Sequence, residues 1–181
     1  MEGNEIKTPN DILLFMNKNI NYGWCDYEGK THFGEMDNFR RLFRISSTEM
    51  VLETHLGTCI EQVYLMKQLL DKLKIPNKMF CTRLYESDDF DNLDEPEHMH
   101  CFILYYLDGK VHQIEHPNFN RRGIYHFDSE DEAISKINEI YIEMSGGSPR
   151  PVTEFFEVTP GLTFKEFNNY INSLDKKYGV R

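Results

Sequence analysis

The chain has no long apolar run. Although 40% of its 181 residues are hydrophobic, no stretch approaches the ~20 consecutive apolar residues that cross a bilayer. Residues 1–15 carry acidic side chains and lack an apolar segment flanked by basic residues, unlike a secretory signal. We therefore expect no membrane partner and a cytoplasmic location.

Basic residues are scarce as well. The 20 lysines and arginines stand against 30 aspartates and glutamates, so the formal net charge is −10. Nucleic-acid binding depends on clustered cations that contact phosphates, so we expect no nucleic-acid partner. Many of the carboxylates lie between residues 86 and 97, where two interpretations are open: a solvated surface connection, or an acidic lid that attracts a cationic substrate. This segment lacks the spacing of an EF-hand, which predicts no structural calcium.

Closely spaced cysteine pairs are missing. Cys25, Cys59, Cys81 and Cys101 form no CxxC motif, which argues against a zinc knuckle or a thioredoxin-like motif. In a reducing compartment they would be free thiols. We predict no cofactor.

The sequence also lacks repeats, low-complexity segments and a boundary for a second domain. Its length is sufficient for one sizeable core, and 13% aromatic residues are typical of a folded globular protein. We expect a single domain over residues 1–181 with an α+β fold. Periodicity and capping signals predict helices over 9–19, 36–44, 59–75, 129–144 and 163–178, strands over 78–86, 98–107, 110–116 and 155–158, and loops over 21–33 and 145–151.

One cysteine lies where thiol chemistry is favoured. Thr58 is followed three residues later by Glu61, a capping-box pattern that predicts Cys59 as the first residue of a helix. Unpaired backbone N–H groups and the positive end of the helix dipole favour the nucleophilic thiolate there. The alternative interpretation is a small buried apolar residue, which is the commoner role of a single cysteine.

A tight turn predicts which side chains meet on two neighbouring strands. The Asp-Gly dipeptide at 108–109 is typical of a two-residue hairpin loop. If Leu107 faces Lys110, side-chain alternation puts His100 and Glu115 on one face as diagonal neighbours. At that separation the carboxylate is close enough to orient the imidazole.

Histidines are the residues that most invite a metal interpretation, at His55, His98, His100, His112 and His116. The hairpin register turns His112 and His116 to the face opposite His98 and His100. Structural zinc needs three or four converging ligands. We therefore predict no metal site.

Nucleophilic catalysis by cysteine needs a thiolate, an imidazole that moves its proton, and a group that fixes the imidazole. Cys59, His100 and Glu115 are candidates for these parts.

Over roughly residues 55–117 the chain resembles the transglutaminase-like superfamily, which belongs with the papain-like cysteine enzymes. The motifs that carry the resemblance are Gly57-Thr58-Cys59 opening a helix, Leu69-Leu70 running to Ile75-Pro76, and His100-Cys101-Phe102 continuing through Asp108-Gly109-Lys110 to Glu115.

The resemblance implies a core in which a helix with an N-terminal cysteine packs on an antiparallel sheet. It also implies that Cys59 is the nucleophile, His100 the general base and acid, and Glu115 the orienting carboxylate. The family usually has aspartate at the third position and tryptophan two residues after the histidine, where this chain has Glu115 and Phe102. Glutamate is one methylene longer and can still accept the imidazole N–H.

The mechanism so implied is thiolate attack on an amide carbonyl, followed by release of a thioester to water or to an amine. The substrate would be an amide of a peptide or protein, and the acidic segment would suit a cationic one. If water attacks the thioester, the enzyme is an amidase or peptidase. If an amine attacks it, the enzyme is a transferase. The sequence leaves both possibilities open. The Cys59 backbone N–H is one oxyanion donor, and Trp24, Tyr22 or His55 is a candidate for the second. The competing interpretation is a catalytically degenerate module that binds a peptide in the same cleft.

Overall fold

The computed structural model describes residues 6–86 and 95–178, so most of the acidic segment at 86–97, interpreted as a surface connection or a lid, lies outside the described residues. The helices of the described chain are α1 (Pro9–Asn19), α2 (Phe39–Leu42), α3 (Thr48–Thr54), α4 (Cys59–Lys72), α5 (Glu130–Ser145) and α6 (Phe164–Tyr178). Its strands are β1 (Asn21–Tyr22), β2 (Trp24–Cys25), β3 (Thr31–His32), β4 (Leu56–Gly57), β5 (Asn77–Tyr85), β6 (His98–Leu107), β7 (Lys110–Glu115), β8 (Gly123–Phe127), β9 (Ser148–Pro149) and β10 (Thr153–Phe155). Within residues 6–86 and 95–178, every helix is too short or too polar to cross a bilayer.

An antiparallel sheet lies at the centre of the fold. Its strand order is β10-β5-β6-β7-β8, and β9 pairs with the end of β5. Leu107 lies opposite Lys110 in the hairpin of β6 and β7, which confirms the predicted register. Asp108 and Gly109 have φ angles of 52° and 74°, as a type I′ turn requires.

Helices cover both faces of this sheet because side chains alternate along each strand. Cys101 and Ile103 of β6 pack in one core cluster with residues of α1, α4 and α6. Phe102 and Leu104 of the same strand pack in a second cluster with residues of α5. The protein therefore combines helices with an antiparallel sheet, and the predicted α+β class is confirmed.

Short strands account for most of the differences from the predicted elements. The predicted loop over 21–33 contains β1, β2 and β3, and the predicted connector over 145–151 contains β9. β1 pairs in parallel with β4, and β2 pairs with β3. Strands of two residues have no hydrophobic period, so only the pairing partner defines them. The predicted helix over 36–44 is shorter in the structure, and the predicted strand over 155–158 lies at 153–155.

Candidate active site

Local sequence places the start of α4 at Cys59, as predicted. Thr58 is the N-cap, and Glu61 closes the capping box by accepting the Thr58 backbone N–H at 2.7 Å. Glu61 also accepts the backbone N–H of Ser46 at 2.9 Å, which ties the preceding segment to the helix start. Cys59 therefore lies in the first turn, where backbone N–H groups point outward from the helix.

The sulfur of Cys59 lies against strand β6. The residue is 6% exposed, and its Sγ is 3.9 Å from the backbone carbonyl oxygen of Met99. The neighbouring Cys101 thiol and the His100 imidazole hold the pKa of the Cys59 thiol well below its usual value, although burial acts in the opposite direction. This surrounding favours the thiolate.

His100 and Glu115 make the contact that the hairpin register predicts. Nε2 of His100 is 3.2 Å from Oε2 of Glu115, and both side chains are buried. The same oxygen accepts a side-chain N–H of Gln113 at 2.9 Å, and Oε1 accepts the backbone N–H of Asn118 at 3.0 Å. Because these donors satisfy the buried carboxylate, Glu115 is held in place and can fix the imidazole.

The imidazole of His100 is held in its protonated form. Burial alone would lower its pKa, but the charge of Glu115 and the contact with Cys59 outweigh burial and raise the pKa of His100 to about 9. Both shifts favour a thiolate on Cys59 and an imidazolium on His100. Since Nε2 is bonded to Glu115, Nδ1 is the nitrogen left to exchange a proton with the sulfur.

Cys59 lies beside, and His100 lies on, the first part of β6, which is paired with β5 but not with β7. This strand begins at His98, but its ladder with β7 begins only where Ile103 lies opposite Ile114. Cys59 belongs to the core cluster on the α4 face, whereas the ring of His100 packs on the α5 face. We infer that they approach each other past this edge, where β7 no longer separates the two faces.

Tyr141 of α5 packs flat on His100. The ring centroids are 3.9 Å apart, and the ring planes differ by 19°. Both rings border a pocket of about 90 Å³, which also has Thr82, Leu84, His98, Met99 and Ser145 in its lining. That volume holds about three water molecules or a small substrate group.

Sequence reasoning misses two residues of this site. Gln113 shares the predicted face of Glu115, so the hairpin pattern contains a signal for it. Tyr141 belongs to the apolar stripe of a predicted helix. The hydrophobic pattern there does not distinguish a residue that packs on His100 from an ordinary core residue.

Tyr22 is an oxyanion candidate that lies beside the strand leading into α4. It lies opposite Gly57 in the pairing of β1 with β4, just before the helix start. Tyr22 is 40% exposed, and the partial desolvation of its phenol group together with the nearby Cys59 and Glu61 raises the pKa of Tyr22. Its hydroxyl therefore stays protonated and able to donate a hydrogen bond.

The other two oxyanion candidates are bonded elsewhere. The indole N–H of Trp24 donates to the backbone carbonyl of Glu35 at 2.7 Å. Nδ1 of His55 is 2.9 Å from the backbone carbonyl oxygen of Asn19. These contacts occupy the only donor of the Trp24 side chain and one of the two ring nitrogens of His55.

The remaining histidines have other partners. His116 is buried with Nδ1 2.6 Å from Oε1 of Gln62, and burial together with Arg122 lowers the pKa of His116 to about 4. His112 and His126 are hydrogen-bonded to each other, with 2.6 Å between their Nδ1 atoms. In the part of the chain that the structure describes, no three His, Cys, Asp or Glu side chains form a group able to hold a metal ion.

No family model matches the chain, and no curated protein matches it in sequence. One solved structure that aligns with it is the arylamine N-acetyltransferase (BACCR)NAT3 from Bacillus cereus, described as having a unique Cys-His-Glu catalytic triad. The alignment covers 99% of this chain and 94% of that chain, at 12% identity and with a TM-score of 0.39. A likeness of this degree transfers no activity, so the roles of the residues here depend on their own geometry.

Proposed function

We propose that the chain is a cysteine-dependent acyl-transfer enzyme of the transglutaminase-like, papain-related type, acting on an amide of a peptide or protein. The observation that carries the proposal is the buried series Cys59, His100 and Glu115, with 3.2 Å between the imidazole and the carboxylate. A cysteine nucleophile needs a base within reach and a third group that orients the base. The low pKa of the Cys59 thiol adds the activated form of the nucleophile.

The reaction begins when the Cys59 thiolate attacks the amide carbonyl carbon. The His100 imidazolium then donates its proton to the leaving amine, the C–N bond breaks, and a thioester remains on Cys59. Neutral His100 next takes a proton from water or from a second amine as that nucleophile attacks the thioester. The products are a carboxylic acid or a new amide, and the thiolate and imidazolium are restored.

We place the oxyanion near the start of α4. The backbone N–H of Cys59 is one donor, since the first N–H groups of a helix have no partner within the helix. The protonated hydroxyl of Tyr22 is the second. The departing amine would lie in the pocket beside His100, away from the oxyanion donors, because His100 supplies its proton.

A second candidate is a non-catalytic module that binds a peptide. One observation favours it: Cys59 is only 6% exposed, and the pocket beside His100 does not include Cys59 in its lining. A nucleophile must reach its substrate, so this candidate predicts an unreactive thiol.

Alkylation by iodoacetamide as a function of pH distinguishes the two, with the modified cysteine identified by peptide mass spectrometry. The enzyme predicts fast modification of Cys59 well below pH 8, lost in Cys59→Ser and kept in Cys25→Ser, which removes another buried thiol. Alkylation that rises only above about pH 8, as for an ordinary thiol, contradicts the enzyme and supports the module.

A further inference from the structure

We propose that Tyr141 is a positioning residue of the active site: its ring holds the His100 imidazole in the orientation that joins Glu115 to Cys59. This inference rests on the proposed function and adds to it a residue from a different helix. The observation behind it is the parallel stack of the two rings, with centroids 3.9 Å apart and planes 19° apart. Phe102, the next ring along, is 6.4 Å from His100.

A parallel ring stack restricts a tilt of the imidazole that the hydrogen bond to Glu115 leaves possible. One bond at Nε2 fixes that nitrogen but allows the imidazole to tilt about the direction of the bond. If the ring tilts, Nδ1 moves away from the Cys59 sulfur and proton transfer fails, because it needs heavy atoms at hydrogen-bond distance. A flat ring packed on the imidazole opposes the tilt.

Tyr141 is itself held by the packing of α5. It follows Ala133 and Ile137 at intervals of four residues, and both of these are fully buried in the core cluster on this face. The helix starts at a capped end, where the Ser129 side chain accepts the Glu132 backbone N–H. The ring therefore reaches His100 from a rigid element rather than from a loop.

The electrostatics of the stack point the same way. The face of an aromatic ring is negative, so it favours an imidazolium over a neutral imidazole. The charged or titratable groups near Tyr141 include His100 of β6, Glu115 of β7, Cys59 of α4 and Arg121 of the turn after β7. The tyrosine ring therefore favours the imidazolium form of His100 that the proposed ion pair with Cys59 requires.

The ring, rather than the hydroxyl, makes the contact. The hydroxyl of Tyr141 is buried and has no hydrogen-bond partner of ordinary geometry among the described residues. Tyr141→Phe therefore keeps the stack, whereas Tyr141→Leu removes the ring and leaves a smaller apolar side chain. If the leucine variant does not fold, Tyr141→Met fills the space with a flexible side chain that cannot stack.

The test compares the pH dependence of Cys59 alkylation by iodoacetamide in these variants, with the fold checked by circular dichroism. Loss of the ring should raise the midpoint by about one pH unit, so that alkylation at a pH below both midpoints falls about tenfold, while Tyr141→Phe matches the wild type. The control is Tyr170→Leu, which removes a tyrosine that packs near Phe167 on α6 and should leave the midpoint unchanged.

The outcomes separate the two proposals. A folded Tyr141→Leu or Tyr141→Met protein with the wild-type midpoint overturns the positioning role but leaves the enzyme proposal intact. A wild-type protein without a low-pH midpoint overturns both. An equal shift in Tyr170→Leu would also overturn the role, since any loss of a packed tyrosine would then have the same effect.

Discussion

Glu115 has no exposed surface, and its two oxygens accept hydrogen bonds from Gln113, Asn118 and His100. A carboxylate so placed is stable only while these donors satisfy it, because an isolated buried charge is costly. At the residue scale, these donors fix the position of the Glu115 carboxylate beside His100. The imidazole remains within 3.2 Å of the carboxylate.

Replacing Glu115 with glutamine should make Cys59 less acidic. The substitution keeps the shape but removes the charge that raises the pKa of His100, so the imidazolium is lost at lower pH and the thiolate loses its partner. An opposite charge at this distance typically shifts a pKa by about 1–3 units, so the midpoint of Cys59 alkylation should rise by about one unit or more. Glu139→Gln, at an exposed carboxylate of α5, is the matched control, and equal midpoints in the two variants would contradict the role of Glu115.

The pH dependence of amide cleavage should have an alkaline limb near pH 9. Above that value His100, whose pKa is raised to about 9, no longer carries the proton that the leaving amine requires. We expect this limb with an N-acyl p-nitroanilide. With the corresponding p-nitrophenyl ester it should be absent, because the phenolate leaves without a proton. A common profile for both probes would argue against His100 as the acid.

Tyr22→Phe should reduce catalysis without changing the thiol. Loss of one oxyanion donor typically lowers kcat by about 10²–10³-fold, whereas iodoacetamide reacts without forming an oxyanion. We therefore expect slow p-nitroanilide cleavage together with wild-type alkylation of Cys59. If both rates are unchanged, Tyr22 is not the second donor.

At the scale of elements, the start of α4 depends on a buried carboxyl group. Glu61 is 3% exposed and accepts hydrogen bonds from the backbone of Ser46 and Thr58. Burial raises its pKa from 4.5 to about 7 despite these bonds, and the nearby Cys59 adds to the effect. The stability of the start of α4, the helix that carries the nucleophile, therefore depends on pH through the Glu61 carboxyl group of its capping box.

Glu61→Gln should remove a pH dependence of stability. The folded pKa of Glu61 lies above its unfolded value, so its contribution is fully present below pH 4.5 and is lost as the pH rises through 7. Between pH 5 and 8 the free energy of unfolding of the wild type should therefore fall relative to the variant, by roughly 1–3 kcal/mol. Urea unfolding of both proteins across this range provides the measurement. Parallel curves would show that the carboxyl is already ionised at pH 5.

At the scale of the whole molecule, Arg83 joins segments that are far apart in the chain. It is 1% exposed on β5 and bonds to Asn172 and Asp175 of α6, and to Thr153 of β10 at 3.1 Å. These contacts attach the last helix to the edge of the sheet. They lie on the α6 side of β5, and no proposed step of the reaction uses them.

Asp175→Asn should destabilise the fold and leave the site unchanged. The substitution leaves the Arg83 charge buried without its carboxylate, which typically costs about 3–5 kcal/mol, and less here because Asp175 is partly exposed. We expect a loss of about 2 kcal/mol in the free energy of unfolding, partly recovered in Arg83→Met/Asp175→Asn, with Cys59 alkylation as in the wild type. Equal stability of the single variant and the wild type would mean that the pair contributes nothing.

Two parts of the site were predictable because they depend only on neighbouring residues. The capping box of Thr58 and Glu61 sets where α4 begins, and the turn at 108–109 sets the register of β6 and β7. The resulting contact between His100 and Glu115 follows from side-chain alternation over a few residues. Such features need no knowledge of the rest of the chain.

Other parts depended on contacts between distant segments. Tyr22 lies beside the start of α4 only because β1 pairs in parallel with β4, and Tyr141 reaches His100 only because α5 packs on one face of the sheet. The approach of the sulfur to the imidazole likewise needs α4 against one face of β6 and an open strand edge. Packing between separate elements is not encoded in the period or spacing of either one, so local pattern placed the reactive groups in the chain and tertiary contact decided their surroundings.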